Sequence, residues 1–523
     1  MSQRNARKFK VLGTTLPFVL TIPVMLSACS SSTSTSTSSP NGTTAPATTA
    51  QATAKAAEPT KEFVNLTWYM RSPINSETDQ EAVEAVANKM LKESINASLH
   101  FNFIDNASWE QKMSLMNSTG TKYDIAFSTS GSNKFMNNVK MGSILPLDDL
   151  LNKYGPDIKK KVDPRAWSAV TFDGKIYAIP GQTPYSDAHS WVFKKDIAEK
   201  YKFDTTKITT LQSIEPYLEL IKKNEPNMTP LLVTGNVAAI GTNLYHYSNL
   251  GGNVFFDERS GKLVNPLEAE DNVGVYRTMN DFYKKGYVAK DAAIKTDFIA
   301  EAKSGKYAVL EDSGGYTADG SKSTALFGYP TLETKYGQTL ITTSAITSAM
   351  AVISKTSEHP DRAIMLLNEI WKNPTLSNTL AYGVEGKNYT VKSGAGTPQM
   401  SVTAKSGAEQ TWAIWHNWLG PLWDQWDSNW NSTAALKVMQ DNNTNATASK
   451  IVGFTFNPDP VKAEIAQVSA VAKEVNPVLI TGSMNDFDAF IAQAKKKYVD
   501  AGYDKVMVEM QKQLDEWKTI NKK

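Results

Sequence analysis

The feature that most restricts the fold is an alternation of short apolar runs and amphipathic stretches. Residues 63–69, 99–103 and 123–127 are rich in β-branched and aromatic side chains, whereas residues 81–91 and 108–116 repeat apolar side chains at helical spacing. Helical crossovers of this length join parallel strands, and they are almost always right-handed. The order predicts a βαβαβ unit, an α/β fold class, and ligands at the carboxyl ends of the strands.

The length of the chain predicts more than one body. Residues 62–523 read as globular, and chains beyond about 250–300 residues usually divide into separate cores. Asp173-Gly174 favours a tight hairpin, because both residues adopt positive φ easily, and it leads into Pro180-Gly181. We therefore expect two α/β lobes with a first hinge segment after residue 180.

The amino terminus reads as a secretory signal. Four basic residues within positions 4–10 precede an apolar run over residues 11–26, which two prolines interrupt, and the sequence Leu-Ser-Ala-Cys ends at Cys29. This ending resembles the lipobox of bacterial lipoproteins, which implies a removed signal over residues 1–28 and a lipid on the Cys29 thiol. Cys29 is the only cysteine, so the sequence excludes disulfides and a cysteine nucleophile elsewhere.

The composition after Cys29 and the charge balance of the chain agree with a secreted, lipid-anchored protein. Residues 29–61 are rich in Ser, Thr, Ala and Pro, cannot build a core, and are predicted to be a tether. Removing the four basic residues of the signal leaves 51 Lys and Arg against 53 Asp and Glu. That balance gives no basic surface for nucleic acid or an anionic bilayer, so we expect membrane attachment through the lipid alone, at the extracellular face.

Several short segments carry a family resemblance. Residues 108–113, 123–127, 145–151 and 172–180 follow an order that resembles the extracellular solute-binding lipoproteins of ABC sugar importers, and residues 382–389 continue it. Residues 453–517 resemble the Gram-positive branch with a distinctive C-terminal domain. The resemblance implies a periplasmic-binding-protein fold, a ligand cleft between two lobes, closure about a hinge, and partnership with ABC permease subunits.

The resemblance also implies a division of the chain. Lobe 1 is predicted from residues 62–180 and about 340–405, and lobe 2 from residues 181–339 and about 406–452. A helical segment over residues 453–523 is expected to pack on the lobes, with amphipathic helices at 486–497 and 503–518. We expect a monomer.

Tryptophans cluster in one short region. Six of the twelve lie between residues 412 and 430, in two trios separated by Gly420-Pro421, at spacings that predict one helical face for each trio. Trp412 and Trp415, with Asn417, are predicted to form a binding wall, because flat rings accept the apolar face of a pyranose and amides bind its hydroxyls. A core role is favoured for the second trio. The family commonly has Gly-Asn where this sequence has His416-Asn417.

Further candidate ligand contacts follow from their positions at predicted strand ends and at the hinge, and an ordinary surface role is about equally compatible with each. They are Arg71, Ser128, Ser130, Gln182, Tyr185, Asp187, Glu311 and Asp312.

Two alternatives remain open beside an oligosaccharide receptor. A peptide or other small-solute receptor would share the tether and the two lobes. A secreted glycosidase would need two carboxylates about 5–9.5 Å apart, and Glu311-Asp312 and Asp424/Asp427 are the best pairs. Adjacent residues on a strand face opposite ways, and an i,i+3 pair is common on solvated helix surfaces, so neither pair favours a glycosidase. No motif for a hydrolase, a zinc site or a phosphate loop is present. We therefore expect neither catalysis nor a metal or other cofactor.

Overall fold

The computed structural model describes residues 60–186, 189–236, 246–312, 316–317, 319–336 and 339–522. Cys29, the predicted signal and nearly all of the predicted tether lie outside these residues. The helices are Gln80–Ile95, Trp109–Thr119, Phe135–Met141, Asp148–Tyr154, Pro156–Lys161, Lys195–Lys200, Glu215–Asn224, Glu270–Lys284, Phe298–Lys303, Ser321–Phe327, Thr343–Ile346, Pro360–Lys372, Pro374–Tyr382, His416–Leu419, Thr433–Asn445, Lys462–Thr481, Phe487–Asp500 and Tyr503–Asn521.

A first sheet has five strands. Their order across the sheet is Ala97–Ile104, Val64–Arg71, Ile125–Ser128, Met350–Ile353 and Ile179–Pro180. The first three are parallel, as the βαβαβ prediction requires, and Met350–Ile353 runs antiparallel to both of its neighbours. The fold class predicted from the sequence is confirmed.

Two consecutive helices cover one face of the first sheet, and proline begins both. Pro360–Lys372 and Pro374–Tyr382 each start where the missing N–H of proline costs no hydrogen bond. Asn373 between them caps the second helix, because its side-chain oxygen accepts the N–H groups of Thr375 at 3.1 Å and Leu376 at 3.2 Å. Both helices bury their apolar faces in the core beneath the sheet.

Arg362 fixes the first described residues to this body. Its side chain is buried, and Nη1 donates to the backbone oxygens of Glu62 at 3.2 Å, Ile95 at 2.6 Å and Asn96 at 2.8 Å. Burial lowers the pKa of the guanidinium from its ordinary value. The start of the strand Val64–Arg71 is thereby bound to a helix about 300 residues further along the chain.

A second sheet lies between residues 189 and 336. Its order is Thr331–Tyr336, His189–Lys194, Tyr307–Asp312 and Thr229–Leu232. His189–Lys194 runs antiparallel to both neighbours, and Tyr307–Asp312 is parallel to Thr229–Leu232. The helix Glu215–Asn224 packs on this sheet through Tyr217, Leu218 and Ile221, so a second core forms.

Smaller strand groups complete the fold. Tyr247–Asn249, Phe255–Asp257 and Lys262–Val264 form an antiparallel ribbon; Tyr389–Ser393, Ser401–Ala404 and Asp427–Ser428 form a three-stranded group; Leu340–Ile341 pairs with Thr447–Ala448. Thr171–Phe172 and Lys175–Ile176 form the predicted hairpin, with φ of 48° at Asp173 and 75° at Gly174.

The carboxyl-terminal helices form a third core with the ribbon. Lys462–Thr481, Phe487–Asp500 and Tyr503–Asn521 bury apolar side chains against Val254, Phe256 and Tyr276. The helix Glu270–Lys284 contributes to this core and to the second one, so the two are joined. None of the helices in the described ranges combines the length and apolar character that a membrane crossing requires.

The tryptophan-rich region is not built from two helices, and that prediction is wrong. Residues 410–415 have no regular structure and His416–Leu419 is one short helical turn. A 3-10 turn over residues 422–424 and the two-residue strand Asp427–Ser428 follow Gly420-Pro421. Residues 412–419, assigned above to lobe 2, pack into the core of the first sheet. The chain is extended here because its apolar side chains pack into that core. They also lie against the carboxyl end of the helix Pro374–Tyr382.

Candidate functional site

In each of the two large sheets, the first connection between them lies beside the carboxyl ends of parallel strands. The strands Val64–Arg71, Ala97–Ile104 and Ile125–Ser128 all end at one edge of the first sheet, where Pro180 also lies. The chain then needs only residues 181–188 to reach the start of His189–Lys194, a span of at most about 30 Å. Since Asp312 and Tyr336 end their strands beside His189, the candidate cleft lies between these edges.

The first connection is bound to the tryptophan-rich region. Gly181 lies so close to the backbone of Asn417 that a Cβ atom there would be 2.0 Å from the Asn417 oxygen. The Gln182 N–H donates to the Gly420 oxygen at 2.7 Å, and Gln182 Oε1 accepts the Trp423 N–H at 3.1 Å. The short helix His416–Leu419 is therefore placed directly against the first connection between the two large sheets.

Arg71 and Trp418 meet where the first sheet ends. The Arg71 guanidinium carbon lies 5.4 Å from the centroid of the Trp418 ring, within cation–π range. Trp418 packs in turn on Phe127, with ring centroids 4.5 Å apart. Arg71 Nε is buried and has no hydrogen-bond partner within the described part of the chain.

Trp415 is the exposed member of the first trio. Its relative exposure is 40 %, and its ring centroid lies 5.9 Å from that of Trp430. Trp430 is supported by Tyr382 at 4.9 Å, and Tyr382 stacks on the buried Trp426 at 6.0 Å with only 3° between the ring planes. We call Arg71, Trp415, Trp418 and Trp430 the aromatic wall.

Four predicted contacts are instead buried, with polar groups bound inside the protein: Ser128, Gln182, Tyr185 and Trp412. The Ser128 hydroxyl donates to the Asn133 oxygen at 2.8 Å, and the Tyr185 hydroxyl donates to the Gly181 oxygen at 2.6 Å. Gln182 Nε2 donates to the Lys161 oxygen at 3.0 Å. These side chains hold the hinge and strand end in place, and the free hydroxyls and amide that their prediction assumed are not available.

Gln182 and Tyr185 line a separate cavity. It has a volume of about 540 Å³ and is bordered by Lys161, Arg165 and Trp423. Lys161 pairs with Asp424 at 2.6 Å, and Arg165 pairs with Asp163 at 2.6 Å. The charges that border this cavity are thus largely compensated.

The remaining predicted residues are divided. Ser130 is exposed and lines a different cavity, whereas Asn417 is half-buried and faces Gly181 with its backbone. Asp187 lies outside the described residues. Asp312 ends the strand Tyr307–Asp312, opposite Ser190.

Glu311 occupies the facing edge of the second sheet with residues that the sequence analysis did not select. His189 Nδ1 lies 3.2 Å from Glu311 Oε1, and both side chains are buried. Tyr336 stacks on Trp191 with centroids 5.0 Å apart, and its pKa is raised by burial and by the Glu311 carboxylate. Alternation along residues 189–193 places His189 and Trp191 on one face, a signal that could have identified them.

Polar atoms in this buried group have unused capacity. Among the described residues, His189 Nε2, Glu311 Oε2 and the indole N–H of Trp191 have no hydrogen-bond partner. Buried groups without partners are uncommon in native proteins. No group of three or more His, Cys, Asp or Glu side chains suited to a metal ion occurs in the part of the chain that the structure describes.

Comparisons with known proteins identify the class. The family model described as bacterial extracellular solute-binding protein matches residues 75–369, and a model described as a domain of unknown function matches residues 450–519. The chain belongs to the bacterial extracellular solute-binding protein family, as the resemblance in the sequence predicted.

Individual relatives agree. A carbohydrate ABC transporter substrate-binding protein of Streptococcus pneumoniae is 28 % identical over 440 residues, which cover 83 % of this chain and 87 % of that protein. The crystal structure of an N-glycan transport solute-binding protein of S. pneumoniae has a TM-score of 0.75 at 27 % identity and covers 88 % of this chain and 100 % of the other. The same protein in complex with Man5GlcNAc gives 0.61 at 26 % identity, covering 88 % and 99 %.

Proposed function

We propose that this protein captures an oligosaccharide in the cleft between its two sheets and delivers it to an ABC permease without changing it chemically. The observation that carries this proposal is the aromatic wall. Trp415, which is 40 % exposed, pairs with Trp430, and Arg71 ends a strand of the parallel sheet with no partner for Nε among the described residues. Flat rings pack against the apolar face of a pyranose, and a guanidinium donates to its hydroxyls.

The relatives support the same ligand class. The streptococcal protein has been crystallised with Man1GlcNAc and with Man5GlcNAc, at 25 % and 26 % identity to this chain. The TM-score falls from 0.75 to 0.64 and 0.61 in those complexes, although coverage hardly changes. All three structures are of the same streptococcal protein, and closure of two lobes about a hinge would lower the score in this way.

The carboxylates support binding without catalysis. Asp424 is paired with Lys161, and Asp427 accepts hydrogen bonds from the Thr433 N–H at 2.9 Å and the Ser401 hydroxyl at 2.7 Å. Those bonds lower the pKa of Asp427. A glycosidase needs one carboxyl group with a raised pKa to protonate the leaving oxygen, and Asp427 is shifted in the opposite direction.

Attachment to the membrane is part of the proposal. We infer that Cys29 becomes the lipidated first residue and that residues 29–61 form a tether at the extracellular face, with the chain acting as a monomer. The single cysteine and the basic–apolar–small order before it support this inference. Metabolic labelling with a palmitate analogue tests it, because the label should be lost completely in Cys29→Ser.

Titration calorimetry tests the solute. The soluble chain, starting after Cys29, should bind Man1GlcNAc or Man5GlcNAc and should not bind alanine tripeptide or tetrapeptide. Binding to the peptides with no response to either glycan would contradict the proposal. Release of free monosaccharide from a bound glycan would contradict the non-catalytic part, which chromatography of the calorimeter contents would detect.

A further inference from the structure

A second cavity lies at the junction of the first sheet, the ribbon and the carboxyl-terminal segment. Its volume is about 260 Å³, and it is bordered by Ser130, by residues 342–344 and 347, by residues 248–251, and by residues 449, 451 and 454–456. We call it the junction pocket. It shares no residue with the aromatic wall or with the polar group around Glu311.

The floor of the junction pocket is apolar. Ile451 and Phe454 are buried, and Leu250 and Phe456 pack partly buried against the same carboxyl-terminal core. These residues give the pocket a fixed hydrophobic surface. Three of the four come from residues 450–456, where the family match to a domain of unknown function begins.

Its rim carries polar groups that are not used within the protein. In the described ranges, the side chains of Ser130 and Thr455 make no hydrogen bond, and Asn249 uses only its Oδ1, which accepts the Gly251 N–H at 2.8 Å. All three residues are exposed. Two hydroxyls and an amide NH₂ are therefore free to bond a ligand.

The walls are held rigidly from behind. The buried Glu258 carboxylate accepts the Ser248 hydroxyl at 2.8 Å, the Ser449 hydroxyl at 2.5 Å and the Lys450 N–H at 2.9 Å. This carboxylate joins the ribbon to the segment that enters the carboxyl-terminal region. A pocket with walls fixed in this way loses little conformational freedom when a ligand enters.

Its location relates it to the cleft. Ser130 lies two residues after the strand Ile125–Ser128, and its N–H donates to the Thr347 oxygen at 3.0 Å. That strand ends at the same edge of the first sheet as Arg71. The pocket and the aromatic wall are therefore both reached from one edge.

We propose that the junction pocket is a distal sugar subsite that binds one pyranose unit of an oligosaccharide whose other units rest on the aromatic wall. The inference rests on the proposed function. An apolar floor under a rim of hydroxyl and amide groups matches the apolar face and polar edge of a pyranose. At about 260 Å³ the pocket is smaller than the sites of drug-sized ligands, so it holds one unit rather than a whole oligosaccharide.

Filling the pocket tests this subsite. Ser344 is exposed and borders the pocket, and Ser348 is exposed just beyond the same helical turn without bordering it. Ser344→Phe should weaken the binding of Man5GlcNAc about tenfold and that of Man1GlcNAc less than twofold. The matched control Ser348→Phe should leave both affinities unchanged. Titration calorimetry measures the affinities, and thermal unfolding confirms that the variants fold.

A milder double variant, Asn249→Ala with Thr455→Ala, removes rim groups without filling the pocket and should weaken Man5GlcNAc about threefold to fivefold. Unchanged affinity for Man5GlcNAc in Ser344→Phe, or an equal loss for both glycans, would overturn the subsite while the proposed function stands. If the wild-type protein binds neither glycan, the proposed function fails, and the subsite fails with it.

Discussion

Trp412 and Trp415 are three residues apart and have opposite environments. Trp412 is 2 % exposed, donates its indole N–H to the Leu380 oxygen at 2.9 Å, and contacts Phe103 edge-on. Trp415 is 40 % exposed. The backbone between them is irregular, so a spacing of three does not place both rings on one side as it would in a helix. The comparison teaches that one aromatic cluster can supply both a core and a binding surface.

The second trio repeats the division. Trp426 is 6 % exposed, whereas Trp430 is half-buried and lies against Trp415. Each trio thus contributes one fully buried ring, Trp412 or Trp426, and at least one ring of the aromatic wall. Tyr382 connects the buried Trp426 to Trp430, which lies against Trp415, and this arrangement fixes the surface rings for ligand contact.

The largest effect is expected at Trp412. Trp412→Ala should lower the free energy of unfolding by about 3–5 kcal/mol, because it removes a large buried ring and leaves its partners facing a cavity. Urea denaturation followed by circular dichroism measures this change. A loss below about 1 kcal/mol would mean that Trp412 is not a core residue and would remove the contrast with Trp415.

His416 follows the exposed Trp415 but is itself buried, and the pH dependence of stability tests this difference. It is buried, its Nε2 lies 3.0 Å from Asn378 Oδ1, and burial lowers its pKa to about 3. Asn378 Oδ1 also accepts the Trp426 N–H, so it is an acceptor and His416 Nε2 carries the proton. The folded protein keeps this histidine neutral at pH values where an unfolded chain protonates it.

Stability should therefore fall as the pH drops below about 6.5, where the unfolded chain takes up a proton that the folded protein refuses. Between pH 6.5 and pH 5 the contribution of His416 is about 2 kcal/mol, from roughly 1.4 kcal/mol for each pH unit below the unfolded pKa. His416→Gln keeps a donor for Asn378 and should flatten this part of the stability profile. Parallel profiles for the two proteins would show that His416 does not remain neutral.

Trp415→Ala should leave stability within about 0.5 kcal/mol of wild type, because the ring is half-exposed. It should weaken glycan binding about tenfold, or about 1.4 kcal/mol. The matched control is Phe63→Ala, since Phe63 is 49 % exposed but lies just before the opposite end of the strand that ends at Arg71. Equal affinities in wild type and Trp415→Ala would separate the aromatic wall from the binding site.

The smallest effect is expected at Arg71. Arg71→Lys keeps the charge but removes the planar group over Trp418, so glycan affinity should fall about twofold to fivefold with no change in stability. Calorimetric titration alongside Trp415→Ala gives the comparison. A larger loss than in Trp415→Ala would make the guanidinium, rather than the exposed rings, the main contact of the wall.

The sequence predicted the parts of the molecule that depend on local pattern. Alternation and helical spacing located the strands that became Val64–Arg71, Ala97–Ile104 and Ile125–Ser128, and Asp173-Gly174 located its hairpin. The same pattern placed Arg71 at the carboxyl edge of the first sheet. These features depend on neighbours within a few residues, so the sequence contains the needed information.

The site depended on contacts that local pattern does not record. Gln182 and Tyr185 lie in the connection between the two large sheets, and their polar groups are bound to Lys161, Trp423 and Gly181. His189 gains its position opposite Glu311 only through pairing between strands 122 residues apart. The junction pocket joins residues 130, 249 and 455, and no local signal connects them.

The hydrogen bonds of Arg362 fix where the chain enters the first sheet. The chain enters the first body at Glu62, and the strand Val64–Arg71 then carries it about 26 Å, at roughly 3.3 Å per residue, to the aromatic wall. Glu62 and the aromatic wall therefore lie near opposite ends of the strand Val64–Arg71.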